Sequence, residues 1–308
     1  MGTVGDKVRI FFTVGYLGDA FHGSQIQPDV VTVQGELIRA LSSLKWIDKR
    51  PGEHPLVLSS RTDAGVHVRI NGGIVDLERS LWEALTPRKM IRAVDDRLDP
   101  NIALLSVKEV ARDHNPRLAL HRTYRYRLEG MDFWEEPNHE AFVAWLSMFV
   151  GTYDATNFAR LEEGKNPIRT VLSATPWMDG ERLMGFELVG EAFLWNQVRR
   201  VANALFKIAV GEVTVQEVQA AIDQPEVPVD FGVAPAEWLT LWGVAWEDEP
   251  LPSDQTKPTF TPPPLGRAAE RTKKGRWQRA AQHEMKGLLY NEWACLGELP
   301  LVYRKDSQ

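Results

Sequence analysis

At 308 residues the chain is long enough for two domains, and with 44% hydrophobic and 25% charged residues it has the balance of a globular protein able to bury a substantial core. A single cysteine, Cys295, excludes an intrachain disulfide, the seven histidines show no ligand-type spacing, and no glycine loop of the phosphate-cradling kind is present, so neither a metal nor a nucleotide cofactor is expected. The net charge of −6 speaks against general affinity for nucleic acid, while residues 1–7 carry no apolar leader and no run approaches the ~18 apolar residues of a membrane span, so the expected location is cytoplasmic, with no membrane partner.

In chain order, residues 7–14 alternate and are β-branched or aromatic, which predicts a strand. Residues 15–28 read as a loop. Thr32 is placed to cap a helix whose apolar positions Val33, Leu37, Ile38, Leu41 and Leu44 follow a 3.6 period. An apolar run, 55–58, and an alternating run, 70–77, predict a strand pair. Residues 81–97 read as a second helix weakened by Pro87, and 102–110 as a closing strand. The order is β-α-β-β-α-β, that of the split ferredoxin-like fold.

The second half repeats this order loosely. Strands are predicted over 123–128, 168–176, 183–189 and 239–246, and helices over 139–150 and 213–222. Residues 193–209 are expected to form the longest helix, with Leu194, Val198, Val201, Leu205 and Ile208 on one face and Arg199 and Arg200 off it. The predicted architecture is therefore α+β: two ferredoxin-like (RRM-like) α/β sandwich domains over 1–112 and 113–248, with a cleft between their antiparallel sheets. Residues 249–308 form a proline-rich linker and a basic helical extension. Pro250, Pro252, Pro258, Pro262, Pro263 and Pro264 mark the linker. Helix-compatible sequence follows over 267–293, with seven basic residues against Glu270 and Glu284 as far as Lys286. Its basic side chains suit a grip on phosphate; Trp277, Leu288, Leu289 and Trp293 suit docking on the body.

The densest chemistry lies between the two central strands, in Ser59-Ser60-Arg61-Thr62-Asp63-Ala64-Gly65-Val66-His67. Side chains at i and i+2 share a face, so Arg61 and Asp63 are expected to point one way, and Gly65 permits a positive φ or a close contact. Taken alone, such a run is an ordinary surface turn with a local ion pair. Two other stretches interleave arginines with aromatics: Arg122-Thr123-Tyr124-Arg125-Tyr126-Arg127, and Phe193 to Arg200. Cations hold phosphates and aromatic faces stack on bases, a composition suited to RNA. Asp95, Asp96 and Asp99 also cluster, but at a predicted helix end, where turn roles are commoner.

Taken together, four stretches resemble the tRNA pseudouridine synthase A family over about residues 7–247. The Arg61-Thr62-Asp63-Ala64-Gly65-Val66-His67 run matches that family's most diagnostic motif. Gly23 to Gln27 with Thr32-Val33-Gln34, Tyr124-Arg125-Tyr126, and Phe193-Leu194 with Gln197-Val198-Arg199 match three further ones. Ser24 stands where many members have Trp, Ser60 where they often have Gly, and Trp195-Asn196-Gln197 looks closer to archaeal and eukaryotic relatives. The resemblance implies a cofactor-free enzyme acting on tRNA in the anticodon stem-loop, and a homodimer.

It also implies roles. Asp63 would be the catalytic carboxylate, acting as nucleophile at the anomeric carbon or as base at C2′. Arg199 would be the cation that opposes the effect of burial on it, and Tyr124 would stack on the target uracil. Arg61, on the same face as Asp63, would fill the space of a base drawn out of its stem or hold the backbone. Arg122 and Arg125 would contact phosphate, and Gln25 and His67 would bind substrate. The alternative is a non-catalytic RNA-binding protein on a double RRM-like scaffold; the Asp63, Arg61 and Arg199 set separates the two, because a pure binder has no use for a carboxylate that repels phosphate. A weaker reading is a nucleoside-cleaving hydrolase.

Overall fold

The computed structural model of the chain describes residues 6–48, 55–256 and 271–297; within its last helix side chains are described at 278, 279 and 281–297. Two compact units result. The first takes the chain up to Ala119, Trp246–Thr256 and the helix residues from Lys286 on, and the second takes Leu120–Ala245 and the helix residues up to Met285.

The first unit is built on β1 (Lys7–Tyr16), whose Ile10 and Phe12 face a helical layer. Helix α1 (Val33–Ser43) begins where Thr32 Oγ1 accepts the Gly35 N–H, and it buries Val33, Leu37, Ile38 and Leu41, the stripe its period predicts. Strands β2 (Leu56–Leu58) and β3 (His67–Glu78) follow. The single helix expected over 81–97 is two: α2 (Arg79–Ala84) and α3 (Pro87–Asp95). Pro87 starts a helix rather than weakening one, because the missing N–H costs nothing in a first turn and Thr86 caps it, accepting from Lys89 N–H. Strand β4 (Ile102–Val110) closes the sheet, antiparallel throughout, in the order β4-β1-β3-β2. Leu37, Leu41, Met90 and Val94 of the helices meet Ile10, Phe12, Val75, Leu77, Leu104 and Val107 of the sheet. On the opposite face Trp246 lies edge-on to Phe11 at 4.9 Å and covers Gly72.

The second unit carries β5 (His121–Tyr126), α4 (His139–Ser147), β6 (Gly151–Asp154), β7 (Ile168–Asp179), β8 (Arg182–Gly190), α5 (Gln197–Ala209), α6 (Val215–Asp223) and β9 (Leu239–Ala245). Its strands run antiparallel in the order β9-β5-β8-β7-β6. Apart from β6, which four residues of mixed exposure gave no reason to expect, this is the strand order of the first unit again. Helix α5 starts at Gln197, not at residue 193: Asn196 takes a left-handed φ of 62°, which leaves Phe193, Leu194 and Trp195 outside the helix. Nor is α5 the longest helix. That is α7 (Arg271–Leu296), which spans 26 residues.

Between β9 and α7 the described part of the linker, 247–256, has no helix or strand beyond a tight turn in which Trp246 and Glu249 pair. Pro258, Pro262, Pro263 and Pro264 lie outside the described residues.

Candidate active site

The loop from Ser59 to Val66 joins β2 to β3 and is held by hydrogen bonds on both sides of its carboxylate. At the entry Ser59 N–H still bonds Gly72 O (2.8 Å), and the buried Asn71 side chain brackets Ser60, accepting its N–H at 3.2 Å and donating to its carbonyl at 2.9 Å. Thr62 is fixed three ways: its N–H donates to Ser24 Oγ (2.9 Å), its carbonyl accepts Ser24 N–H (3.1 Å), and its Oγ1 lies 2.8 Å from the Tyr16 hydroxyl. Beyond the carboxylate, Val66 N–H closes a turn on Asp63 O (3.2 Å), and Gly65, at φ 85°, donates to Gly18 O (3.1 Å). Gly18 must be a glycine here, since a Cβ on it would sit 1.9 Å from Val66 O. Thr62 is buried, Arg61 exposed and Asp63 half-buried, the alternation that the i, i+2 spacing predicts.

Below this loop, His67 is buried and its Nδ1 accepts the Gly18 N–H at 3.1 Å. Burial pushes the imidazole down to about 4, against Asp19 and reinforced by Lys286, so it is held neutral as an acceptor. The Tyr16 phenol is pushed up to about 12 by burial and keeps its proton. Gln25 is half-buried and lines a cavity of about 200 Å³ with Gln34, Leu56 and Arg117.

The remaining expected site residues stand on the second unit. Tyr124 of β5 is buried with its ring edge-on to Phe193, centroids 5.2 Å apart. Phe193 can approach because Gly190 has no side chain: a Cβ there would meet its ring at 2.7 Å. Arg122 donates to Glu191 O (2.6 Å), and burial lowers its pKa. Arg125 is paired with Glu187, directly opposite on β8, at 2.7 Å and lies 4.1 Å over the Trp242 ring. Arg199, in the first turn of α5, donates through Nε to Ala234 O (2.7 Å) and through Nη1 to Asn196 Oδ1 (3.3 Å), and its own carbonyl accepts Ala234 N–H at 3.1 Å. Gln197 is buried, its Oε1 accepting Leu194 N–H at 2.9 Å, which fixes the bend before the helix.

Among the described residues no cluster of three or more His, Cys, Asp or Glu side chains could hold a metal ion. Asp95 accepts Leu104 N–H and Asp99 accepts Asn101 N–H, the turn roles expected of them. No described helix is long and apolar enough to cross a membrane.

Two buried arginines had escaped sequence reasoning. Arg69, two residues past His67, is fully buried with Glu292 of α7 at 2.7 Å and also donates to the carbonyls of Pro252 and Ser253. Arg127 is fully buried against Glu129 (2.7 Å) and Glu284 (2.9 Å) within the second unit. Arg69 carried the signal of a charge inside a strand run, whereas Arg127, one residue past β5, looked like one more of the arginines spaced along that stretch. In α7, Leu289 and Trp293 are buried and Leu288 half-buried, while Lys286 pairs with Asp19. The side chains of Lys273, Lys274, Arg276 and Trp277 lie outside the described residues.

Comparison with known proteins gives one answer. A family profile described as tRNA pseudouridine synthase matches residues 146–247. The tRNA pseudouridine synthase A of Thermococcus onnurineus is 34% identical over 244 residues, 78% of this chain and 85% of that one. That of Methanoculleus marisnigri is 34% identical over 253 residues (80% and 87%). The Thermococcus gammatolerans protein of the same name is 31% identical over 301 residues, 95% of this chain and all of its own. Among solved structures, a Cbf5-Nop10-Gar1 complex matches at 13% identity over 64% of this chain and 44% of that chain, with a TM-score of 0.34, too slight a likeness to argue from. On a third of positions shared over about four fifths of its length, the chain belongs to the tRNA pseudouridine synthase A family.

Proposed function

We infer that this protein isomerises uridine to pseudouridine in tRNA, with Asp63 as the carboxylate that opens the glycosidic bond. The observation that carries the reading is family membership, joined to a loop that holds the Asp63 backbone at Thr62, Asp63 and Gly65 and leaves its side chain half-buried. The N1–C1′ bond breaks, the uracil turns, and a C1′–C5 bond forms; C5 loses its proton and N1 gains one, so nothing is exchanged with a second substrate. A fixed carboxylate serves either opening step, attack at C1′ or removal of the C2′ proton, through the positioning that its rigid backbone supplies.

Arg199 is the proposed cation toward that carboxylate, and its bonds to Ala234 and Asn196 support the role by limiting where its guanidinium can go. Tyr124, braced by Phe193, is proposed to stack on the uracil. Arg61, exposed beside Asp63, is proposed to take the place of the extruded base. Arg122, Arg125 and Gln25 are proposed RNA contacts, whereas His67 serves the substrate through the turn it holds. The repeated strand order supports a reading as two ferredoxin-like halves, and the anticodon stem-loop, a homodimer and a cytoplasmic location complete the proposal.

The test is direct. Purified protein is incubated with unmodified tRNA transcripts and pseudouridine is mapped nucleotide by nucleotide, with wild type and Asp63→Asn in parallel. Modification confined to neighbouring anticodon stem-loop uridines, absent with Asp63→Asn, is expected; no pseudouridine in any transcript would overturn the reading.

A further inference from the structure

The tail helix touches both supports of the Asp63 loop within the first unit. One support is the end of β1. Trp293 lies across Gly15, where a Cβ would fall 2.1 Å from its Nε1, and that Nε1–H donates to Arg69 O at 3.0 Å. The next residue, Tyr16, holds Thr62. The other support is the 3-10 turn Gly18–Ala20, where Lys286 pairs with Asp19 while the adjoining Gly18 accepts Gly65 N–H and donates to His67. Asp63 sits between Thr62 and Gly65, so both of its flanks are anchored to backbone that α7 braces.

The brace is polar as well as apolar. Glu292 and Arg69 are each 0% exposed. While Glu292 Oε2 takes the guanidinium, Oε1 accepts from Gln255 N–H (2.7 Å), Thr256 N–H (2.7 Å) and Thr256 Oγ1 (2.9 Å). A greasy contact tolerates a slide along the helix axis; a fully buried ion pair with every carboxylate oxygen bonded does not, since a shift of one residue would leave a charge unpaired. This is a register pin.

We propose that Glu292 and Trp293 are positioning residues for the isomerisation, setting the Asp63 loop from behind through Arg69, Gly15 and Tyr16, with Lys286 doing the same through Asp19 and Gly18. The inference rests on the assignment of Asp63. It gives Glu292, Trp293 and Lys286 a part in the reaction that needs no contact of their own with RNA.

Glu292→Gln, Trp293→Phe and Lys286→Met are compared with wild type for single-turnover rate at saturating tRNA, for tRNA Kd and for Tm. Expected are rates at least ten-fold lower for Glu292→Gln and several-fold lower for the other two, Kd within two-fold, and substantial recovery in Glu292→Asp. Rates are normalised to folded protein, so a merely structural tail would lower Tm and leave them unchanged. Lys286→Met and Trp293→Phe keep the test open if Glu292→Gln does not fold. Wild-type rates in the folded variants, or losses wholly in Kd, would overturn the inference and leave Asp63 standing. Full activity in Asp63→Asn would instead remove the catalytic assignment, and this inference with it.

Discussion

The Tyr16 hydroxyl lies 2.8 Å from Thr62 Oγ1, so the last residue of β1 is tied to the residue immediately before the carboxylate. Tyr16→Phe removes that bond with no change of shape. An unmade buried hydrogen bond costs on the order of 1–2 kcal/mol, and urea denaturation should register a loss of that size. Turnover should fall further than the lost stability accounts for, since Thr62 then has one fewer restraint, and single-turnover kinetics on a tRNA transcript measures it.

Asp63→Asn is nearly isosteric and removes only the charge proposed to open the glycosidic bond. Pseudouridine formation should be abolished, with tRNA affinity within a few-fold of wild type. Filter binding beside a turnover assay separates the two; near-normal turnover would take Asp63 out of the mechanism.

Arg199→Met keeps the aliphatic stem of the side chain and loses the cation, along with the bonds to Ala234 and Asn196. The single-turnover rate should drop by about 10²-fold or more, the scale of losing one preorganised electrostatic partner, with Kd changing far less. Equal rates in the two proteins would show that Arg199 serves only to hold the 230–235 segment.

Acid should loosen the first unit through His67. Its pKa is lowered to about 4 in the fold and returns to about 6.5 on unfolding. Between those values the unfolded chain binds the extra proton, so the contribution is complete above the unfolded value and disappears as pH falls toward 4, to a total of about 3 kcal/mol. Protonation also turns the Nδ1 acceptor into a donor facing the Gly18 N–H. Urea melts from pH 4 to pH 8 should show stability rising with pH in that window and a flatter profile in His67→Gln.

In the second unit, Arg127→Met should be among the most damaging single changes away from the site. It leaves Glu284 without its buried counter-ion and Glu129 with only Arg182, 3.8 Å away, and breaking such a pair from one side typically costs about 3–5 kcal/mol. Denaturant midpoints report the loss directly.

The parts legible in the sequence were those written locally. Thr32 and its 3.6-period stripe marked α1, β-branched and aromatic residues marked β1, and residues 102–110 were bounded as found. The Asp63 corner was legible because a glycine and alternating polarity sit within five positions of one another. Helix α5 was started too early because Phe193 and Leu194 fit the helical period, and only the left-handed Asn196 stops it. The docking of α7 was half legible: Trp293 and Leu289 announced an apolar face, but nothing local pairs Glu292 with a residue in β3. The partners of Arg125 were not legible locally, because Glu187 and Trp242 reach it from neighbouring strands across the sheet.

The bond between Arg69 and Glu292 spans 223 positions of chain. Loop closure over such a span is slow, and residues made first fold first during synthesis. The strands of the first unit can therefore assemble early, yet the slot beside Gly15 stays empty and the Arg69 charge uncompensated until the whole second unit has been translated. A chain that ends at residue 245 would carry Asp63 and its loop without Glu292 and Trp293 behind them. If α7 sets the Asp63 loop as proposed, the enzyme first becomes competent only once residues 286–293 have been made and docked.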